Sequence, residues 1–325
     1  MMITCDLEQV GHLAPEAWTI ISSLPKHICF HNDHGKRHPK STYGGSLRAI
    51  TEQWVRTFKE LDQLNTEHNW LNKETNYNNL LKEYKELLYR LNEHHDACLS
   101  VLRSLCNTKM AKPTIQDSDF LSTAKLSGYK SFTQSITSYR EHIGCLVNTL
   151  KHRQGELCSI FFHSNTEFRP GYFLRDVLPN GVLGPSAKLH SDGRTAFSFN
   201  RDMLFHLWWL YRIGKSLSLA IKSTVLGLHK LTIPSEIHSM DDTNLIKLLK
   251  SCAAIKPHLF PNEKTYPRIT LVNNEKKITL KFPTNVPRYF PKNMRISLSI
   301  MHDISHPVSK LPYFGKEYEE WEKTL

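Results

Sequence analysis

Seven side chains, Tyr84, Leu88, Leu91, His95, Cys98, Leu102 and Leu105, follow one another at alternating steps of four and three residues. At 100° per residue, that spacing returns to one face of a helix every two turns. A seam of this length has to be covered by another helix. Leu47, Ile50, Trp54, Phe58 and Leu61 recur at similar steps just before it, and the polar stretch LNTEHNWLNKETN lies between the two. The pattern predicts an antiparallel helical hairpin and commits this part of the chain to helix-on-helix packing.

The remainder is mixed. Residues 1–43 hold Pro15, Pro25, Pro39 and the loop HNDHGKRHPKSTYGG, and read as an irregular, histidine-rich segment. Residues 44–233 read as a helical bundle. Within it, AKPTIQDSD (111–119) is expected to be a linker, with Asp117 or Asp119 capping the helix that follows. A small β-insert is expected near 159–199, where SIFFHS, GYFLRDVL and TAFSF surround the Pro179-Asn180-Gly181 turn signal. A further helix is expected from about Asn200 to Leu231, before Pro234. Residues 234–325 read as a small α+β region: a helix from Asp242, a hairpin in RITLVNNEKKITLKF, a strand in RISLSIMHD and a short terminal helix in KEYEEWEKTL. The fold class expected is α+β, mostly α.

The net charge of +11 is unevenly placed: zero over residues 1–110, +7 over 111–233 and +4 over 234–325. A basic middle attracts polyanions through counterion release. No run of about 18 apolar residues is present, so no membrane span is expected. Seven scattered cysteines without a CxxC pair favour free thiols in a reducing cytoplasm.

Two constellations carry candidate chemistry. The first lies in SYREHIGCLVNTLKHRQGELC, where Asn148 and His152 stand four residues apart with Arg140, Lys151 and Arg153 nearby. At that spacing both side chains project from one helical face. The second is Arg201-Asp202-Met203-Leu204-Phe205-His206, at an expected helix start. An arginine, a polar residue and then a histidine four to six residues after the arginine resembles the signature of the HEPN group of helical-bundle ribonucleases. Asn148 and His152 resemble the later part of that signature, with Val147 where the arginine would stand. The pair Arg90/His95 has the spacing too, but it lies mid-helix with His95 in the apolar seam.

The resemblance implies metal-independent cleavage of RNA, with no cofactor, as in a toxin or antiphage defence protein. It makes Arg201, His206, Asn148 and His152 the catalytic candidates, and it implies a homodimer. Arg140, Lys151, Arg153, Tyr172 and Arg175 would contact RNA or another nucleic acid, Tyr172 by stacking on a base. Acid–base partners must reach one phosphate, so the four candidates are expected within about 8 Å of each other in a basic cleft. The different-class alternative is a non-enzymatic helical interaction protein. A third reading, a metal-dependent nuclease, would use His27, Cys29, His31, His34 and His38, which have ligand chemistry for zinc but a spacing that matches no common zinc module. Phosphate-binding, dinucleotide, nucleophile-elbow and HExxH motifs are absent.

Overall fold

The structure is a computed structural model that describes residues 2–6, 13–66, 70–110, 116–153, 155–164, 167–178, 181–190, 194–234, 238, 240, 242–256, 258–263, 265–272, 277–285, 294–299 and 311–313. Among them are seven α-helices and two antiparallel sheets, an α+β fold that is mostly helical. The helices are α1 (Glu16–Ser22), α2 (Pro39–Thr66), α3 (Trp70–Arg103), α4 (Asp117–Thr123), α5 (Ser127–His152), α6 (Phe199–His229) and α7 (Thr243–Ala254).

The expected hairpin is α2 and α3. All seven seam residues of α3 and its C-terminal turn are buried, against Leu47, Ile50, Trp54, Phe58 and Leu61 of α2. Both helices run further into the polar gap than expected. Asn, Thr, Glu and Lys are acceptable on the solvated side of a helix, so a polar stretch alone does not end one.

Helix α6 is the centre of the molecule. Twenty of its residues are buried, on nearly every side, as befits a helix surrounded by other elements. Ser198 caps its start by accepting from Arg201 N–H, and Lys230 closes its end at φ 56° in the left-handed region. Helix α5 lies against α6, with Gly128 in tight contact with it. A β-carbon there would stand 2.4 Å from the carbonyl oxygen of Ala220.

The insert forms a sheet of β2 (Glu156–His163), β3 (Phe168–Val177), β4 (Leu183–Pro185) and a two-residue β5 (Phe197–Ser198). Alternation sorts its faces. Cys158, Ile160, Phe162 and Phe173 join a small second core with Ala196, Phe260, Met294 and Tyr313. Tyr172 and Leu174 point the other way, into the helical core. Tyr77 of α3 ties sheet to helices: its hydroxyl accepts from Gly171 N–H (2.8 Å) and lies 2.6 Å and 2.8 Å from the carbonyls of Gly171 and Ile160. Position 171 has to be glycine, because a β-carbon would meet Phe197 O at 2.2 Å and the Phe260 ring at 2.3 Å.

Two strand pairings cross the expected segment boundaries. The expected hairpin is β6 (Thr265–Val272) with β7 (Lys277–Asn285), and β1 (Met2–Asp6) of the supposedly irregular segment pairs with β7. Strand β8 (Arg295–Ser299) leaves the C-terminal region to pair with β2. The segment 1–43 therefore contains β1, α1 and the start of α2. Gln116, whose side chain makes no capping bond, is the N-cap of α4. Asp117 instead pairs with Arg103 and Lys36. Part of the linker and the expected terminal helix lie outside the described residues. No helix among the described residues is long and apolar enough to cross a membrane.

Candidate functional site

The site grows from the first turns of α6. Arg201 and Asp202 lie in its first turn, and the four-residue step from Asp202 to His206 places both on one face. That face meets Tyr139 and His142 of α5, Tyr84 of α3 and Tyr172 of β3. Asp202 and His206 are both fully buried.

The hydrogen bonds form a closed set. Tyr172 donates to Asp202 Oδ2 at 2.6 Å, and Tyr84 donates to the same oxygen. Arg201 donates to Asp202 Oδ1 at 3.2 Å. His206 Nε2 lies 3.0 Å from the Tyr84 hydroxyl and 3.3 Å from Asp202 Oδ2, and its Nδ1 lies 2.9 Å from the Tyr139 hydroxyl. One assignment satisfies every hydrogen: Tyr139 donates to Nδ1, Nε2–H donates to Tyr84, and Tyr84 donates to the carboxylate. Burial pushes the Asp202 carboxyl up. The hydrogen-bonded His206 and nearby Arg201 outweigh it and hold Asp202 well below the usual carboxylate range. Burial, with Asp202 alongside, keeps all three tyrosines protonated.

Around this set lies a second tier. The Arg201 guanidinium stacks on Phe205 at 4.4 Å and on Phe197 at 5.7 Å. The His142 ring meets the same two phenylalanines at 5.5 Å and 5.7 Å. Its Nε2 is shut from solvent and has no partner. Burial, together with His206 and Arg201, pushes the His142 pKa down to about 4 against the pull of Asp202, so the ring is neutral at pH 7. The His190 ring lies 4.6 Å from the Phe197 ring. Glu263 anchors the start of α6 by accepting from Ser198 N–H (2.8 Å), Ser198 Oγ–H (2.6 Å) and Phe260 N–H (2.8 Å). Burial raises its pKa to about 7, opposed by Arg201.

The expected candidates do not converge. Nine residues beyond Tyr139, Asn148 is turned by about 180° and displaced about 13.5 Å along α5; His152 is about 20 Å along. Both are exposed, as are Arg140, Lys151 and Arg153. Lys151 lies over the Tyr89 ring at 4.6 Å. Tyr172 is fully buried and donates to Asp202, so it presents no face to a base. Arg175 is paired with Glu156 across the β2–β3 ladder. His206 lies inside, with both ring nitrogens engaged, and only Arg201 reaches the rim, 19% of its side chain exposed.

The histidine-rich loop is structural where it can be read. His34 Nδ1 accepts from Arg103 Nε–H (3.2 Å), which leaves Nε2–H to donate to Cys106 O (2.8 Å). Cys29 donates to Pro25 O, and burial raises its thiol pKa, which disfavours the thiolate a metal needs. His31 and His38 meet edge to face, and His27 is exposed. Among the described residues, no three His, Cys, Asp or Glu side chains are grouped to hold a metal ion.

Residues the sequence reading passed over are Tyr84, Tyr139, His142, His190, Asp202 as a buried anion, and Glu263. A local signal existed for one pair: Tyr139 and His142, three residues apart, share the apolar side of α5 with Ile143 and Leu146. Compared with protein-family models, curated proteins and solved structures, the chain matches none.

Proposed function

We propose that the chain binds RNA and cleaves it without a metal, with Arg201 and His142 as the groups that reach the phosphate. The observation that carries this reading is a neutral imidazole with an unpartnered nitrogen on the same two phenyl rings as a rim guanidinium. The HEPN-like motif contributes Arg201; its histidine, His206, acts from behind. Asp202, His206, Tyr84, Tyr139 and Tyr172 hold Arg201 in place, as a rigid supporting network does for a group that must stabilise charge.

In the proposed reaction, RNA docking at Arg201 opens the cover over His142 Nε2, which is shut from solvent in the free chain, and His142 then takes the proton of a ribose 2′-hydroxyl. The 2′-oxygen bonds to phosphorus, the bond to the 5′-oxygen breaks, and the imidazolium returns its proton to that oxygen. The products are a 2′,3′-cyclic phosphate and a 5′-hydroxyl. Arg201 neutralises the added charge on the non-bridging oxygens. The basic middle of the chain supplies long-range attraction for the polyanion.

Purified protein incubated with RNA in EDTA tests this. Cleavage with cyclic-phosphate ends is expected, blocked by 2′-deoxy substitution and lowered at least about 100-fold by Arg201→Ala or His142→Asn. Cleavage that survives both substitutions refutes the assignment. A second reading, a non-enzymatic helical interaction protein, is favoured by the full engagement of His206 with tyrosine hydroxyls, which suits a structural network. Its signature is salt-dependent RNA binding with no cleavage.

A further inference from the structure

Helices α2 and α7 leave an open pocket of about 460 Å³ between them. Small-molecule sites span about 300–1,000 Å³, so the space is adequate. On α2 the lining residues Val55, Lys59 and Asp62 follow steps of four and three, with Phe58 beside them. Those steps keep the three on one strip of the helix. On α7, Lys247 and Ser251 stand four residues apart and line the facing wall. Phe58 is buried and Val55 half-buried, so the floor is apolar. Lys59, Asp62 and Lys247 are exposed at the rim, and none of the three enters an ion pair among the described residues. Opposite charges three residues apart on a helix can close a pair. Lys59 and Asp62 do not, and both line the pocket instead. Burial raises the Asp62 carboxyl pKa, and neither lysine is near enough to pull it back.

We infer that this pocket binds a free α-amino acid with a large apolar side chain. The inference goes beyond the RNA-directed reading, since neither α2 nor α7 contributes a residue to the site around Arg201. Unpaired charges of both signs over one apolar floor select the ligand. The zwitterion answers both signs at once: its ammonium group meets Asp62, and its carboxylate meets Lys59 and Lys247. Its side chain covers Val55 and Phe58 and leaves water as it does so. A simple anion would sit beside the unpaired Asp62 carboxylate. A simple cation would sit beside two ammonium groups. Each would meet repulsion that the zwitterion avoids. A metal ion would find a single carboxylate, too few ligands to hold it. The pocket is open, and exposed charge pairs contribute little each. A ligand of this size then binds with Kd on the order of 1 mM.

The test titrates L-phenylalanine into the ¹⁵N-labelled full chain and follows backbone amide shifts by NMR. Two analogues each remove one charge: N-acetyl-L-phenylalanine lacks the ammonium group and L-phenylalaninamide lacks the carboxylate. Saturable shifts confined to α2 and α7 are expected, with each analogue about fivefold weaker. Asp62→Asn is expected to erase the preference over the N-acetyl form, and Lys247→Met the preference over the amide. Both positions are exposed, so thermal melting stays unaltered. Ser251→Trp puts an indole into the pocket and is expected to prevent saturation. Shifts that fail to saturate by about ten times the expected Kd, or that fall on other elements, overturn the proposal. Equal binding of the three probes overturns it too, since that is adventitious contact with the apolar floor only. So does a preference over the N-acetyl form that survives Asp62→Asn. None of these readouts involves RNA, so the pocket and the cleavage reading stand or fall separately.

Discussion

Acidification is the perturbation with the most specific expected response. Three histidines are buried in neutral form: His94, pushed to about 3, His142, to about 4, and His190, to about 3, each chiefly by burial. Their ordinary value is 6.5. Below that value the unfolded chain takes up a proton at each site and the folded chain does not. The unfolded state then binds more protons, so stability falls as pH falls, by up to about 1.4 kcal/mol per pH unit for each histidine. Glu263 acts in the opposite sense. Its folded value is raised from 4.5 to about 7, so between those values the folded state holds the extra proton, and acidification stabilises it. Three histidines against one glutamate leave a net loss of about 2.5 kcal/mol per pH unit between pH 6 and 5. At that slope a stability of about 5 kcal/mol, the low end for a domain, is exhausted near pH 4.5, where ordinary carboxylates only begin to titrate. Urea unfolding at half-unit pH steps measures the slope. His190→Gln is expected to lower it by about 1.4 kcal/mol per pH unit. A slope below about 1 kcal/mol per pH unit in the wild-type protein, or an unaltered slope in the variant, refutes the argument.

Three further outcomes are expected. Tyr172→Phe removes one donor to the buried Asp202 carboxylate and should cost about 2 kcal/mol in urea unfolding; with Tyr84→Phe, which serves the same oxygen, the effects should be non-additive by at least about 0.5 kcal/mol. Gly128→Ala should cost about 1–3 kcal/mol, because its methyl would face the Ala220 carbonyl, whereas Gly144→Ala, with open space around its β-carbon, should stabilise by up to about 1 kcal/mol in the same assay. Arg103→Ala should cost about 3 kcal/mol in thermal or urea melts, since Arg103 pairs with Asp117, donates to His34 and stacks on Phe120 at 4.6 Å, while Lys36→Ala, at the exposed side of the same carboxylate, should cost less than about 1 kcal/mol.

The helical hairpin was legible because a four-three apolar seam has one physical solution, and each of its members is buried. Helix α6, expected from about Asn200 to Leu231, was legible from its apolar spacing and from Pro234 beyond its end. Strand β1 was not. Five residues carry too little pattern to announce a strand, and the partner that makes it one lies more than 270 residues along the chain. The Asn148/His152 stripe misled for a physical reason. A polar i, i+4 pair at the basic end of an amphipathic helix is what a solvated face looks like, and that is where it sits. His206 was legible as a residue and illegible as an environment. The hydroxyls that engage it come from α3 and α5, and Tyr172 of β3 completes the set at Asp202; no local spacing could bring the three together.

The same geometry explains why the motif histidine and the reacting histidine are different residues in this reading. A buried carboxylate needs several donors to remain charged, and Asp202 takes them from two tyrosines and Arg201, with His206 Nε2 3.3 Å away. His206 is then held on one side by Tyr84 and on the other by Tyr139, and it has no lone pair left for substrate. His142 lies one turn after Tyr139 on α5 and packs on His206 at 6.3 Å, but it carries no such obligation at Nε2. Capacity for proton transfer follows the nitrogen that is left over. If Tyr139→Phe were to free His206 Nδ1 and raise activity, the division of labour between the two imidazoles would be reversed. If it lowers stability by about 1 kcal/mol and leaves the pH profile unchanged, His206 supports and His142 reacts.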